Sequence, residues 1–364
     1  MHVKDVLALI NDWSPLSYSE DFDNTGLLVG DPKAQVRNIL VCLDCLEAVV
    51  DEAIAKDCNL IVSFHPIIFS GLKKITGKSY VERVVLKAIK HDIAIIAIHT
   101  ALDNAWDGVN ARFLEALGAT KEAILIPKQG VIKRLSTFVP QAEASALQDA
   151  LFQAGAGAMG DYSECSFITE GIGSFKPNTS ANPSIGTKGE RHLESESKIQ
   201  VIFESDKQAA VLNALFNTHS YQEVAYELTT LEIPHNRMGM GMIGTLPEPI
   251  SEANFLKRLQ TNMNAKGIRH SATLDKPIKR IAVLGGSGAF AIDAAKAAKV
   301  DAFVSADFKY HDFFKAEGQL LLADIGHYES EQYTKNLIVS NLSKKITNFA
   351  VILSEINTNP IIYF

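Results

Sequence analysis

One pattern constrains this chain more than any other: a strand–helix–strand segment near the N-terminus recurs near the C-terminus. Asn38–Ile67 and Arg280–Lys309 align without a gap, so that Val41 falls on Val283, Ser63 on Ser305 and His65 on Asp307. Each begins with a short apolar run, Ile39–Leu43 or Ile281–Leu284. A helical stretch follows, Glu47–Ala55 or Ala289–Ala298, and then a second apolar run, Leu60–Val62 or Ala302–Val304. Each then continues to a third run that ends in histidine: Ile93–Ile98 before His99, and Leu320–Ala323 before His327. Apolar runs too short for helices, alternating with helical periods, predict buried strands of parallel sheets joined by crossover helices. The duplication predicts two repeat-related α/β lobes.

The segment between the repeats has another character. It holds Gly155, Gly157, Gly160, Gly171 and Gly173, then a polar stretch Lys176–Ser197, with apolar runs at Leu135–Val139 and Ile199–Phe203. The expected organisation is a first lobe over 1–127, an inserted α+β domain over 128–241 and a second lobe over 242–364. The two lobes form one discontinuous α/β domain, and Lys176–Ser197 is expected to be a solvated loop. A chain of 364 residues fits such a two-domain arrangement.

Val3, Val6, Leu7 and Ile10 predict an amphipathic helix, without the apolar core and cleavage site of a signal peptide. No run approaches the length of a membrane span. Four cysteines make no disulfide framework in a chain of this size. Cys42-x-x-Cys45 lacks the second pair that a zinc knuckle needs, and it lies in an apolar run, so buried thiols are expected. The cytoplasm is the expected compartment. A net charge of −7, with no long basic run, argues against nucleic acid as a partner.

The polar residues at the repeated strand ends point to divalent metal, which takes imidazole nitrogens and carboxylates. His65 closes an apolar strand, and Pro66 ends the strand's hydrogen bonding there, so the imidazole is expected at the strand tip. Its repeat-mate Asp307 is also a ligand-type residue. His327 and Glu331 lie one helical turn apart and share a face, so both can reach one ion. His99 and Asp103 repeat that spacing. Asp23–Gly26 reads as turn chemistry. Gly285-Gly286-Ser287-Gly288 lacks the spacing of a dinucleotide or P-loop motif and reads as a tight turn rather than an anion site. His219–Glu223 leaves two readings open: a small-ligand or metal site, or a helix start carrying a partly buried Tyr221.

Four ordered motifs carry a family resemblance: Asp23–Gly30 (DNTGLLVG), Ser63–Phe69 (SFHPIIF), His99–Asp103 (HTALD) and Gly326–Glu331 (GHYESE). Together they resemble the Nif-three-like family, whose members are often labelled GTP cyclohydrolase 1 type 2 homologues. The insert, through Gly155–Phe167, Gly171–Phe175 and His219–Tyr226, resembles the PII/CutA-like middle domain of the longer bacterial members. The resemblance implies a homohexamer with a dinuclear metal centre facing its interior. The implied ligands are His65, Asp103, His327 and Glu331, with Glu331 bridging the ions. Family members usually carry two adjacent histidines before the proline, and this chain has Phe64 in place of the first. The expectation is therefore two unequal sites: one held by His65, His327 and Glu331, the other weak or supplemented by His99.

A metal-dependent hydrolase is the leading expectation, using zinc, iron, manganese or nickel, with His99 or Asp307 moving protons. The family label suggests a nucleotide-like substrate. The alternative is a non-enzymatic metal-binding or regulatory assembly.

Overall fold

The computed structural model describes residues 1–364. Its strands are numbered in chain order. The first lobe supplies β1 (Gly26–Val29), β2 (Ile39–Cys42), β3 (Leu60–Ser63), β4 (Ala94–Ala97) and β5 (Thr120–Pro127). The insert supplies β6 (Ile132–Pro140), β7 (Ser166–Phe175), β8 (His192–Glu204) and β9 (Tyr226–Leu231). The second lobe supplies β10 (Gly239–Ile250), β11 (Arg269–His270), β12 (Ile278–Ser287), β13 (Ala302–Ala306), β14 (Leu321–Asp324) and β15 (Val351–Leu353).

Two units result, Met1–Pro127 with Arg237–Phe364, and Lys128–Asn236. The chain re-enters the first unit at Arg237, ahead of the boundary expected at 242, because β10 already pairs with β5 from Gly239 onward. No helix is long and apolar enough to cross a membrane.

In the first unit each sheet is built around three parallel strands of one lobe and takes an edge strand from the other, β15 parallel to β2 and β5 antiparallel to β10. The orders are β1-β4-β3-β2-β15 and β11-β14-β13-β12-β10-β5. The apolar runs are continuous because both faces of these strands are covered. Ile39, Val41, Leu60 and Val62 enter one core, whereas Leu40, Cys42 and Ile61 enter the core on the opposite face. The second lobe divides the same way, with Ile281, Val283, Ala302 and Val304 on one side and Ala282, Leu284 and Phe303 on the other. The helix Val3–Asn11 buries Val3, Val6 and Ile10.

The strand registers carry the repeat into three dimensions, with one correction. Leu60 pairs with Ala94 and Ser63 with Ala97; Ala302 pairs with Leu321 and Ser305 with Asp324. Ile98 and Ile325 each then donate to the carbonyl of the matched serine, Ser63 or Ser305. His99 therefore corresponds to Gly326, not to His327. Both stand at the N-cap of a short helix with positive φ, 38° for His99 and 95° for Gly326. Sequence spacing matches His99 with His327, and the structure sets them one residue apart.

The insert has the order β-α-β-β-α-β, and its antiparallel sheet runs β7-β8-β6-β9, a ferredoxin-like arrangement. Helices Ala144–Gln153 and Gln208–Thr218 pack on one face through Leu147, Leu151, Val211 and Leu215. The polar stretch is not loop throughout. β8 begins at His192, because its polar residues pair across to β7 and β6 while alternate positions supply the core.

Candidate metal centre

The parallel strands of both lobes deliver their C-terminal ends to one place, the position at which open α/β sheets build sites. His65 follows β3, with its backbone N–H bonded to the Leu43 carbonyl beyond β2. His327 and Glu331 open and close the short helix after β14. The ligand-type atoms of His65, His327 and Glu331 all lie within 4.8 Å of one another. His65 Nε2 is 3.1 Å and His327 Nε2 3.3 Å from the same Glu331 oxygen, Oε2. That oxygen is buried, and neither ring nitrogen is aligned for a hydrogen bond to it, so it has no hydrogen-bond partner.

The outer nitrogen of each imidazole is held by a carboxylate. His65 Nδ1 meets Asp44 Oδ1 at 2.7 Å, His327 Nδ1 meets Asp307 Oδ2 at 2.7 Å, and His99 Nδ1 meets Asp23 Oδ1 at 2.8 Å. These carboxylates are anchored in turn. Asp44 accepts from Thr358 Oγ1 at 2.6 Å, Asp307 from Ser287 Oγ, and Asp23 from the backbone N–H of Asn24 and of Thr100. A carboxylate on Nδ1 fixes the ring and its tautomer and leaves Nε2 as the donor atom, the usual support of a metal-binding histidine.

Asp103 lies beside this cluster but outside its 4.8 Å span. Its Oδ1 is buried and has no hydrogen-bond partner. His99 does not pair with Asp103 as His327 does with Glu331; its N-cap position turns its ring towards Asp23 instead. The His99 ring centroid is 5.4 Å from that of His65 and 5.6 Å from that of Phe64. Phe64 is fully buried in the apolar core and stands edge-on to His99.

Gly285 and Gly286, expected in a tight turn, instead lie within β12, where its register on β13 shifts between Val283 and Ser287, and they make room for the centre. A Cβ on Gly286 would come within 2.5 Å of Glu331 Oε1, and Gly286 has φ of +71°. The amides of Gly285 and Gly286 are taken by Asn110 Oδ1 and Ser330 Oγ, so neither is available to an anion.

Electrostatically the centre calls for positive charge. Burial opposes a proton on His65, but the Glu331 charge and Asp44 outweigh it and lift its pKa to about 10. His327 is likewise lifted against burial by Asp307 and Glu331, to about 11. Burial opposes ionisation of Glu331, yet the two imidazoles hold it below the usual carboxylate range. Asp103 is pushed well up, first by burial and then by the Glu331 charge. Two carboxylates with buried oxygens that take no hydrogen bond, and imidazoles that would otherwise take up protons, form a donor set suited to a divalent cation, which competes with those protons.

Of the residues anticipated from sequence, the structure gathers His65, His327 and Glu331 tightly, sets Asp103 and His99 alongside, and puts Asp307 behind His327. Asp307 contacts the outer nitrogen of His327, so its geometry is that of a positioning residue rather than a proton shuttle. Asp23, whose sequence context suggests turn chemistry, and Asp44 are the two orienting carboxylates that residue spacing does not announce. Asp23 lies within the Asp23–Gly30 motif, whereas Asp44 is signalled only by being a lone carboxylate at the end of the apolar run Ile39–Leu43. Beside His65 opens a cavity of about 390 Å³ lined by Asp44, Tyr80, Thr358 and Pro360.

Comparison with known proteins agrees with this architecture. A Bacillus subtilis protein named "GTP cyclohydrolase 1 type 2 homolog" is 35% identical over 365 residues, covering 98% of this chain and 96% of its own length. The crystal structure of a Bacillus cereus protein related to NIF3 matches with a TM-score of 0.84 at 33% identity, covering 100% of this chain and 99% of that one. That of Staphylococcus aureus protein SA1388 matches with a TM-score of 0.78 at 27% identity, with the same coverage. The model of the Duf34/NIF3 (NGG1p interacting factor 3) family matches residues 1–360, and the chain belongs to that family.

Proposed function

We propose that this protein binds divalent metal through His65, His327 and Glu331 and acts as a metal-dependent hydrolase. The observation that carries this reading is the convergence of two Nε2 atoms on a buried Glu331 oxygen that takes no hydrogen bond, while carboxylates occupy both Nδ1 atoms. When bound, the metal would acidify a water molecule and polarise the bond under attack. The chain's own residues supply orientation: Asp44 and Asp307 hold the ligand imidazoles, and the Gly285–Gly286 backbone leaves space for Glu331. Asp103 and His99 are the proposed ligands of a second, weaker position, because Phe64 has no donor atom. Where no ion occupies that second position, His99, fixed by Asp23, is the proposed proton carrier.

The relatives' printed name suggests a nucleotide-like substrate. Phe69 lies 6.2 Å from His99 and 6.4 Å from Phe22, and both phenylalanines are exposed, so a planar base has ring faces to stack on. Zinc, iron, manganese and nickel all suit the donor set. The proposal includes a cytoplasmic homohexamer, as the family resemblance implies, with neither membrane nor nucleic acid as a partner.

A non-enzymatic role is favoured by one feature, the burial of Glu331 and of Asp103 Oδ1; the His327 side chain, 37% exposed, favours access and catalysis. Elemental analysis after dialysis is expected to find closer to one ion than two per subunit. Metal-loaded protein is then incubated with nucleotides and phosphoesters. Turnover that His327→Ala abolishes supports the hydrolase, and metal retention without turnover supports the binding role. Failure to retain any divalent metal overturns both.

A further inference from the structure

The insert contains a second potential site, independent of the metal centre. Cross-strand neighbours share a face of a sheet, and Phe138, Glu196, Gly173 and Phe175 all fall on the face of the insert's sheet opposite its helices. The loop after β7 and the segment after helix Gln208–Thr218 roof that face over. Asn182 N–H donates to Gln222 Oε1 at 2.8 Å, tying one cover to the other. Beneath lies a cavity of about 470 Å³, within the range of about 300–1,000 Å³ typical of small-molecule sites.

The lining has a definite chemistry. Phe175 and Tyr221 stand 5.9 Å apart, centroid to centroid, and Phe138 adds a third ring. Tyr221 donates its hydroxyl to Glu196 Oε1 at 2.8 Å. Glu196 Oε2 lies over Gly173, 2.1 Å from where a Cβ would stand, so a glycine is required there for the carboxylate to lean into the cavity. Among charged lining residues, Glu196 and Glu223 face one lysine, Lys176. Glu194 and Glu143 add negative potential, enough to hold the Tyr221 hydroxyl proton more tightly after burial and Glu196 have acted. Lys198 already rests on the Phe138 ring, 5.5 Å from its centroid. His219, which left two readings open in the sequence, is a structural residue that ends the helix. Its Nε2 meets the Phe138 carbonyl at 2.8 Å, and its Nδ1 accepts from the Tyr221 N–H. It thereby holds Tyr221 at the cavity.

We infer that this cavity binds a small organic cation carrying an apolar or aromatic body, with Glu196 neutralising the charge and Phe175 and Tyr221 packing against it. Aromatic faces and a carboxylate attract a cation together, whereas an anion would meet Glu196 and Glu223. The inference does not depend on the metal centre.

Isothermal titration of the full-length protein with benzyltrimethylammonium tests it, because that probe is permanently charged and cannot ligate metal. Benzyl alcohol and phenylacetate serve as neutral and anionic counterparts. The cation is expected to bind, with both counterparts at least about tenfold weaker. Glu196→Gln and Phe175→Ala are each expected to weaken the cation by about tenfold or more, while His327→Ala leaves it unchanged. Thermal unfolding of Glu196→Gln, compared with the parent, checks that the insert remains folded. No binding of the cation, equal binding of benzyl alcohol, or an unchanged affinity in folded Glu196→Gln would each overturn the inference.

Discussion

The two lobes of the first unit share a frame and diverge at its tips. Each presents three parallel strands in the same order, and each buries a matched serine, Ser63 or Ser305, whose hydroxyl bonds to backbone carbonyls at the strand ends. Yet His65 directs Nε2 at Glu331, while Asp307 at the equivalent position stands behind His327. The helix after β4 begins with His99 at its N-cap, whereas the helix after β14 begins with Gly326 there and His327 next. A one-residue offset at a strand end thus converts a symmetric scaffold into a centre with unequal halves. The backbone repeat sets where ligands can stand, and individual side chains decide which of them do.

The sharpest way to break this comparison is to remove the residue on which both halves converge. Glu331→Gln keeps the shape and deletes the charge that His65 and His327 approach. Metal affinity is expected to fall by more than about 100-fold, beyond the loss usual for a residue that merely orients a ligand. Chelator competition measures it. A change below tenfold would mean that the metal, if bound, is held elsewhere.

The next comparison sets the two orienting carboxylates against each other. Asp44→Asn and Asp307→Asn each leave a side chain in place but weaken the hold on His65 or His327, and a loss of about 10–100-fold in metal affinity is expected for each. Asp44 is the less exposed of the two and is anchored by Thr358, so its replacement is expected to cost more. Equal losses would indicate that the halves are balanced and that the offset has no energetic consequence.

These expectations separate what the sequence reveals from what it conceals. The gap-free match of Asn38–Ile67 to Arg280–Lys309 is enough to place β2 and β3 against β12 and β13, because buried parallel strands leave unbroken apolar runs; the edge strands β1, β5, β11 and β15 leave no such mark. His327 and Glu331 are equally legible, since one helical turn joins them. The phase of His99 is not, because the register of β4 against β3 is a long-range property that a histidine count cannot supply. Asp44 is hidden for a related reason: its partner His65 lies beyond the end of the next strand, and no local spacing announces the pair. The glycines at 285 and 286 look like a turn in sequence, and only the packing of Glu331 against Gly286 reveals their role.

Phe64 bears on the asymmetry itself. Phe64→His would restore the donor that family resemblance leads one to expect, and metal content is expected to rise towards two ions per subunit in elemental analysis. The substitution puts a polar ring into a fully buried site, so apo-protein stability is expected to drop by about 1–3 kcal/mol in chemical denaturation. Excess metal should recover part of that loss by mass action. Stability lost with no gain in metal would show that the second position is limited by something other than Phe64.

The smallest effect tests the frame rather than the tips. Ser63 Oγ donates to the Leu43 carbonyl at 3.2 Å and the His65 carbonyl at 2.7 Å, and Ser305 Oγ to the Leu284 carbonyl at 2.7 Å and the Gly286 carbonyl at 3.0 Å. Both serines are fully buried, and removing either hydroxyl leaves strand-end carbonyls less well satisfied. Ser63→Ala and Ser305→Ala are each expected to destabilise by about 1 kcal/mol in equilibrium denaturation, with similar values for the two. Ser305 is packed more tightly, since a Cβ on Gly288 would come within 2.0 Å of its Oγ, so any excess should fall on the second lobe. A large difference in the other direction would mean that the two strand ends are not energetic equivalents. The repeat would then be a likeness of chain path alone.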